Sequence, residues 1–509
     1  MSDSTTANSP ADTPERAVKT SAHPPATDIV LTSPQRWRAF WVCVAVAGIT
    51  ILDLSKVNVA LPSIEAALGA GSTQLQLIVS GYVLTFGLVL VPMGRLGDQR
   101  SRRALFIVGL SLFTVTSLLC AVAISPLMLM VARLLQGVAA GIQMPQVLGL
   151  IQQLFQGKER GRAFGLFGAT IGIAIAFGPT IGGLMILVGG AADGWRLIFW
   201  MNVPLGIIAI ALAVWVLPRT RTRSRKALSF DLFGVFLFSL AVVSLMWPFL
   251  FTTGSPDDDP RRWWLLAVFV AFTGAFVAWE RHYESTGRQP LIPFALFRVS
   301  SFRNGTLLIA AYFTALPALF LLTTLFLQTG VGLAPVYAGM VTIGFALTSA
   351  VFSWIGGNLV GTYGRPIVVW GLSVMLLCVI GLAAAALFVP EAAIVWVMAG
   401  IMVIGGIGGG LVNSPNQTLT LADIPVNQGG TAGSIGQLGQ RIGTSVGTAV
   451  ALSLFYSTIY REGGTAPDTV VYNHAYAYGM IAVAIFVAFA FLLSIVDLSS
   501  RSREKSRRA

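Results

Sequence analysis

The sequence predicts an all-α membrane protein with fourteen transmembrane helices, and three observations carry that prediction. Of 509 residues, 55% are hydrophobic and 11% are charged, less than half the charged share of a soluble domain. The mean hydropathy is +0.77. The apolar residues fall into fourteen runs, each near the roughly 20 residues that cross a bilayer core. The basic residues alternate with these runs. With residue 1 on one side, the segments on that side hold 26 Lys/Arg and the others hold four, while Lys56, Arg133 and Arg441 lie inside runs. Basic loops mark the cytoplasm, so both termini are expected there, with the chain in the plasma or inner cell membrane. A missed span would reverse the sign of every later loop.

The runs approximate 38–61, 76–97, 104–124, 126–152, 162–188, 196–217, 230–252, 263–282, 303–327, 335–358, 366–388, 393–420, 430–457 and 475–497. Before them, residues 1–37 are rich in Ser, Thr, Pro and Ala and read as a disordered cytoplasmic tail. Span 1 carries Asp53, Lys56 and Asn58; Asp53 and Lys56 share a helical face. Span 2 carries Tyr82 and Phe86 and ends in the loop Gly94–Arg103, which places Asp98 beside Arg102 and Arg103. Span 4 holds Arg133, with Gln136 close to the same face. Span 5 contains Gly178, Pro179, Gly182 and Gly183, where proline removes a ladder donor and glycines let backbones approach. Asn58, Tyr82, Phe86, Tyr312, Trp354 and Arg441 are candidates for lining a path, in spans 1, 2, 9, 10 and 13. The span 13 glycines Gly436, Gly439, Gly443 and Gly447 read as a helix-contact face.

Other function classes lack their residues. The net charge of +12 sits in short clusters between spans rather than in a nucleic-acid recognition module. Cys43, Cys120 and Cys378 all fall inside apolar runs, and His23, His282 and His474 read as tail or loop residues. These give no disulfide framework, metal site or nucleophile cluster, so no enzyme, metal or cofactor is expected. Gly405–Gly410 lies inside an apolar helix with no strand before it and no Walker lysine after it.

A weak repeat relates the loops after spans 2 and 10. Gly94, Leu96 and Arg102 match Gly357, Leu359 and Arg365, with Gly361 where Asp98 stands. Equivalent places for these loops require two six-helix halves, 38–217 and 301–498, with 218–300 an inserted two-helix hairpin and 499–509 a basic tail. Duplicated halves around a central path are a transporter architecture.

From about residue 38 to 498 the chain resembles the major facilitator superfamily, and within it the fourteen-span drug:proton antiporters. Gly94–Arg103 resembles the signature cytoplasmic loop, with Ser101 in place of a glycine. Leu129, Arg133, Gln136 and Gly137 resemble the span 4 motif, and Gly165, Ala174, Gly178, Pro179, Gly182 and Gly183 the span 5 antiporter motif. Leu52–Pro62 resembles the span 1 motif, and Trp195, Arg196, Phe199, Asn202, Pro204 and Gly206 the entrance to span 6. The resemblance implies a 6 + 2 + 6 fold, with Asp98, Arg102 and Arg103 as a cytoplasmic gate and Gly178–Pro179 as a tight hinge. It also implies proton coupling through Arg133.

Charges at the bilayer centre are costly and persist where they pair, face a cavity or work. Asp53 is therefore the foremost candidate for the proton or substrate site, since a carboxyl in a partly dry site can load and release a proton. Lys56 stands where the family usually has an uncharged residue. It either neutralises Asp53, binds an anionic group of a substrate, or turns to another partner. The expected function is proton-coupled export of drugs or amphiphilic small molecules by a monomer in the lipid bilayer. The alternative is a dedicated exporter of one endogenous metabolite or lipid-like compound, with coupling altered or absent because of Lys56.

Overall fold

The structure, a computed structural model, describes residues 31–218, 231–252, 258–463 and 468–508, with backbone alone at 72, 73, 191, 192, 335 and 500–508. The helices are α1 (Ser33–Leu68), α2 (Ser72–Gln99), α3 (Arg102–Ala121), α4 (Pro126–Leu154), α5 (Gly157–Trp200), α6 (Asn202–Val216) and α7 (Leu232–Leu250). They continue with α8 (Leu265–Ser285), α9 (Ser300–Leu325), α10 (Pro335–Tyr363), α11 (Pro366–Phe388), α12 (Glu391–Thr420), α13 (Gly429–Glu462) and α14 (Asp468–Arg508). Fourteen stretches are long and apolar enough to cross a membrane, matching the fourteen expected runs. No β-strand occurs among the described residues.

One boundary differs from expectation. The expected tail 1–37 overlaps α1, which starts at Ser33 with Pro34 in its first turn, where a missing N–H costs nothing; residues 1–30 lie outside the described residues. Within α5 two helices meet at a kink at Gly190, whose φ of 81° is the left-handed region that glycine enters without a Cβ clash. The spans themselves are Gly157–Gly190 and Asp193–Val216. The basic run 219–226 lies outside the described residues.

Two large apolar cores divide the molecule. One gathers side chains from α1 to α8, joined by Phe302, Leu421, Ile424 and the start of α13. The other is built from α9 to α14. Small residues let helices of the two sets meet. A Cβ on Gly94 of α2 would stand 2.0 Å from the Ser434 hydroxyl and 2.8 Å from the Gly430 carbonyl of α13. A Cβ on Gly161 of α5 would stand 2.5 Å from the Gly357 carbonyl of α10. The second helix of each six thus meets the fifth helix of the other, near the face that bears the Asp98 loop.

The hairpin α7–α8 packs on α2 and α13 through α7, while α8 is largely exposed. Asp231 caps α7 by accepting from Gly234 N at 2.8 Å, and Trp279 Nε1 donates to its second oxygen at 2.8 Å. Gln76 Nε2 donates to the Leu250 carbonyl at 2.9 Å, and Arg95 donates to Gln289 at 3.2 Å, so both ends of α2 hold the hairpin.

The loop after α10 has Gly361 in place of an acid, yet its Arg365 is not left alone. Arg365 Nε lies 2.5 Å from Asp497 of α14, and its Nη1 donates to Asn416 of α12 at 2.5 Å. A carboxylate from a distant helix replaces the local one. The two histidines within the described residues also depart from the expected loop positions. His282 lies on α8, and His474 lies on α14, where it meets Glu462 at 2.8 Å. The three cysteines are free and buried.

Candidate functional site

Asp53 is the centre of a fully buried polar cluster formed by α1, α2, α3, α4 and α6. Arg133 Nη1 donates to Asp53 Oδ2 at 2.7 Å, and Asn202 Nδ2 donates to Oδ1 at 2.7 Å. Lys56 Nζ lies 3.4 Å from the same Oδ1 and donates to Asn202 Oδ1 at 2.7 Å. Arg133 also donates to Gln136 Oε1 at 2.6 Å and to the Ile78 carbonyl at 3.2 Å. Gln136 and Asn202 then converge on the Ser117 hydroxyl, at 2.7 and 3.2 Å. Asp53, Lys56, Arg133 and Gln136 are each 0% exposed. Two basic groups thus share one carboxylate. Such an arrangement is sensitive to any proton gained or lost, because unbalanced charge in a dry interior costs several kcal/mol.

An apolar plug covers this cluster on the side away from the Asp98 loop. It contains Val57, Ile64, Ile78, Leu129, Trp195 and Phe199. Arg133 is sandwiched below it, with its guanidinium carbon 4.2 Å from the Tyr82 ring centre and 5.8 Å from that of Phe199. Tyr82 continues one turn along α2 to Phe86, edge-on at 6.0 Å. Over Phe86 stands Arg441 of α13, 4.6 Å from the ring centre. An aromatic step on α2 therefore connects the buried cluster with a cation on the opposite helix set. Two close contacts of α4 on α2 fix that step. A Cβ on Gly137 would stand 2.4 Å from the Tyr82 carbonyl, and one on Gly141 2.9 Å from the Phe86 carbonyl.

A second constellation joins α2 to α13 at the Asp98 loop. Arg102 donates to Asp98 Oδ1 at 2.6 Å. Asp98 also accepts from Gly430 N at 2.9 Å, from Thr431 N at 2.7 Å and from the Thr431 hydroxyl at 2.8 Å. These are the free amides of the first turn of α13, where a carboxylate is favoured by both hydrogen bonding and the helix dipole. Arg102 adds bonds to the carbonyls of Gly149 at 2.7 Å and Val426 at 2.6 Å. One acid and one arginine thereby tie together α2, α3, α4 and α13.

Comparison with known proteins decides the family. The sequence profile of the Major Facilitator Superfamily matches residues 39–448. The chain belongs to the major facilitator superfamily. It is 32% identical over 443 residues to the "Probable actinorhodin transporter" of Streptomyces coelicolor, covering 85% of this chain and 75% of that one. It is 31% identical over 408 residues to "Multidrug resistance protein Stp" of Mycobacterium tuberculosis, covering 78% and 72%. It is 30% identical over 463 residues to the "Tetracenomycin C resistance and export protein" of Streptomyces glaucescens, covering 88% and 80%. Among solved structures, the human organic anion transporter MFSD10 (TETRAN) superposes with a TM-score of 0.62 at 12% identity, over 91% of this chain and all of that one. The proton:xylose symporter XylE gives 0.58 at 15% identity, over 90% and 96%. These two likenesses concern the fold. The protein is a multi-pass membrane transporter of this superfamily, not an enzyme.

In this major facilitator chain the span 5 glycines press on the turn of α1 that carries the charges. A Cβ on Gly178 would stand 2.4 Å from Ser55 Cβ, and one on Gly182 2.8 Å from the Lys56 carbonyl. Gly183 departs from the expected hinge contact, since nothing lies within 4 Å of its Cβ position. Any shift of α5 on α1 thus moves the Asp53–Lys56 turn itself. Gly182→Val is expected to lose transport and about 1–3 kcal/mol of stability through overpacking. Gly183→Val is expected to keep both. Thermal unfolding and transport of the two variants check the contrast.

Other residues fall apart from these groups. Arg103 does not join the Asp98–Arg102 constellation. Its guanidinium turns to the Val214 carbonyl at 2.6 Å and caps the end of α6. Asn58 and Trp354 are exposed and touch neither constellation. Tyr312 is buried in the core of α9–α14 beside Gly409 of α12, away from the Tyr82–Phe86 step. In span 13, Gly443 and Gly447 pack on Ala310 and Thr314 of α9, whereas Gly436 meets nothing within 4 Å. Asn202 and Ser117 complete the cluster and had no role assigned from sequence. Asn202, a polar side chain within an apolar span, was the available signal; Ser117 gave none.

Proposed function

We propose that this transporter exports amphiphilic small molecules in exchange for protons, with the Asp53–Lys56–Arg133–Gln136 cluster as the coupling site. The observation that carries the proposal is the sealed acid–base cluster seated on the α1 turn that α5 grips. A change in its protonation changes the charge balance where α1 and α5 move on each other. Alternating access would then rock 38–217 against 301–498, with the hairpin within 218–300 riding on α2 and α13. Both termini and the Asp98 loop face the cytoplasm of a cell-membrane monomer in this reading, in keeping with the basic loops on that face. The closest approaches of the two helix sets then lie on the cytoplasmic side, with the Asp98–α13 contact as its latch. Export is supported by the relatives named for antibiotic export and drug resistance.

Lys56 favours a second reading, a dedicated exporter with altered coupling, because it competes with Arg133 for the one carboxylate. Export of a panel of fluorescent amphiphiles from cells, with and without a protonophore, tests the first reading. Wild type should lose export when the gradient collapses; export that continues undiminished contradicts proton coupling. Lys56→Met is expected to leave a one-to-one Asp53–Arg133 pair and to shift the pH profile of export. An unchanged profile and substrate range removes Lys56 from the coupling site.

A further inference from the structure

We propose that Arg441, with Phe86 and Tyr82, binds the acidic group of an apolar or aromatic substrate, so that the compounds carried are organic anions. This deepens the export reading above by naming the substrate class, and it rests on that reading only for the direction of movement.

The argument begins with charge balance. Of the other buried cations of the described residues, all but Arg95, which donates to Gln289, meet a carboxylate: Lys56 and Arg133 meet Asp53, Arg102 meets Asp98 and Arg365 meets Asp497. Arg441 meets none, although it is only 8% exposed. Its Nε is buried without a partner among the described residues, and its guanidinium stands 4.6 Å over the Phe86 ring. Arginine cannot shed its charge, so burial leaves a net cation that a counter-ion would stabilise. Tyr82 Oη, one turn along α2 from Phe86, is also fully buried and unpartnered. On α13, Gln437 Oε1 is in the same condition one turn before Arg441. Two unpartnered donors, Arg441 Nε and Tyr82 Oη, and one unpartnered acceptor, Gln437 Oε1, therefore stand on the α2–α13 seam beside an aromatic face.

Position adds to this. Arg441 is twelve residues beyond Gly429, about 18 Å along α13 at 1.5 Å per residue. Phe86 is thirteen residues before Gln99 on the antiparallel α2. Both lie near mid-height, where a lipid phosphate does not reside and a transported molecule must pass. The surrounding charge points the same way. Asp53 is outnumbered by Lys56, Arg133 and Arg441, and a local excess of one sign favours ligands of the other. A lipophilic cation would meet repulsion here, while a carboxylate or phenolate on a flat apolar body would pair with Arg441 and stack on Phe86.

The test uses the full chain in phosphatidylcholine nanodiscs with three probes of one shape: 1-naphthoate, 1-naphthamide and 1-naphthylmethylammonium. Thermal unfolding is followed against probe concentration. Naphthoate is expected to raise the unfolding midpoint at concentrations where the amide and the ammonium leave it unchanged. Arg441→Gln is expected to weaken the apparent naphthoate affinity by about tenfold to a hundredfold, the span of one charge-assisted bond. Arg441→Lys should retain part of it. Without ligand, Arg441→Gln should melt no lower than wild type, since it removes an uncompensated charge; a strut for the α2–α13 seam would melt lower. Equal stabilisation by the amide or the ammonium, no stabilisation by any probe, or an undiminished naphthoate effect in Arg441→Gln overturns the proposal. No ion gradient is present, so failure of proton coupling or of outward direction leaves this result unchanged.

Discussion

Replacing Asp53 by Asn should abolish gradient-driven export and destabilise the α1–α6 bundle by about 3–5 kcal/mol, the cost of leaving a buried charge without its partner. The size follows from the geometry. Asp53 accepts from Arg133 at 2.7 Å and from Asn202 at 2.7 Å, and it is the carboxylate that faces both Lys56 and Arg133. Asparagine preserves the shape and leaves two basic groups facing a neutral amide. If the loss is electrostatic, removing a cation should return part of it. Asp53→Asn with Lys56→Met, or with Arg133→Gln, is then expected to melt above Asp53→Asn alone. Additive losses would show that the residues do not act as a unit.

The second large effect is expected at the latch. Asp98→Ala removes one charge-assisted bond to Arg102 and three acceptor contacts with Gly430 and Thr431 at the start of α13. Hydrogen bonds to charged groups contribute about 1.5–3 kcal/mol each. Losing even one of them shifts a two-state equilibrium by about tenfold or more. The α2–α13 seam should therefore open, and a cysteine introduced at Ser434 should become reactive to a thiol reagent that leaves it untouched in the Asp98-containing background. The native thiols are buried and give a low baseline. Arg103→Ala should leave that reactivity as it was, because Arg103 spends its guanidinium on the Val214 carbonyl. Equal labelling with and without Asp98 would show that the close glycine packing at Gly94 holds the seam unaided.

Much of the fold was legible in the sequence because the bilayer imposes a coarse code. Span length and the alternation of basic loops need no knowledge of packing, so all fourteen spans were found. The residue at which spans 5 and 6 break was not, since Gly190 is one glycine among 54 and only its positive φ marks the turn. At the site, rare ionisable residues inside apolar runs announced Asp53, Lys56, Arg133 and Arg441, since hydrocarbon tolerates few of them. Their partners were harder to find. Asn202 reaches Asp53 from a helix far along the chain and Ser117 reaches Gln136 from the preceding helix, and hydrogen-bonding geometry of that kind leaves no periodic trace. The same holds for Asp497, which serves Arg365 from 132 residues away.

Counter-movement of protons and substrate measures the coupling most directly. Purified protein in sealed proteoliposomes, loaded with a pH-sensitive dye and given a fluorescent substrate on one side, should move protons opposite to substrate in a fixed ratio. Asp53→Asn should carry substrate down its gradient, if at all, without that proton movement. Substrate flux by wild type with no accompanying proton flux, or an unchanged ratio in Asp53→Asn, would contradict a coupling role for the buried cluster.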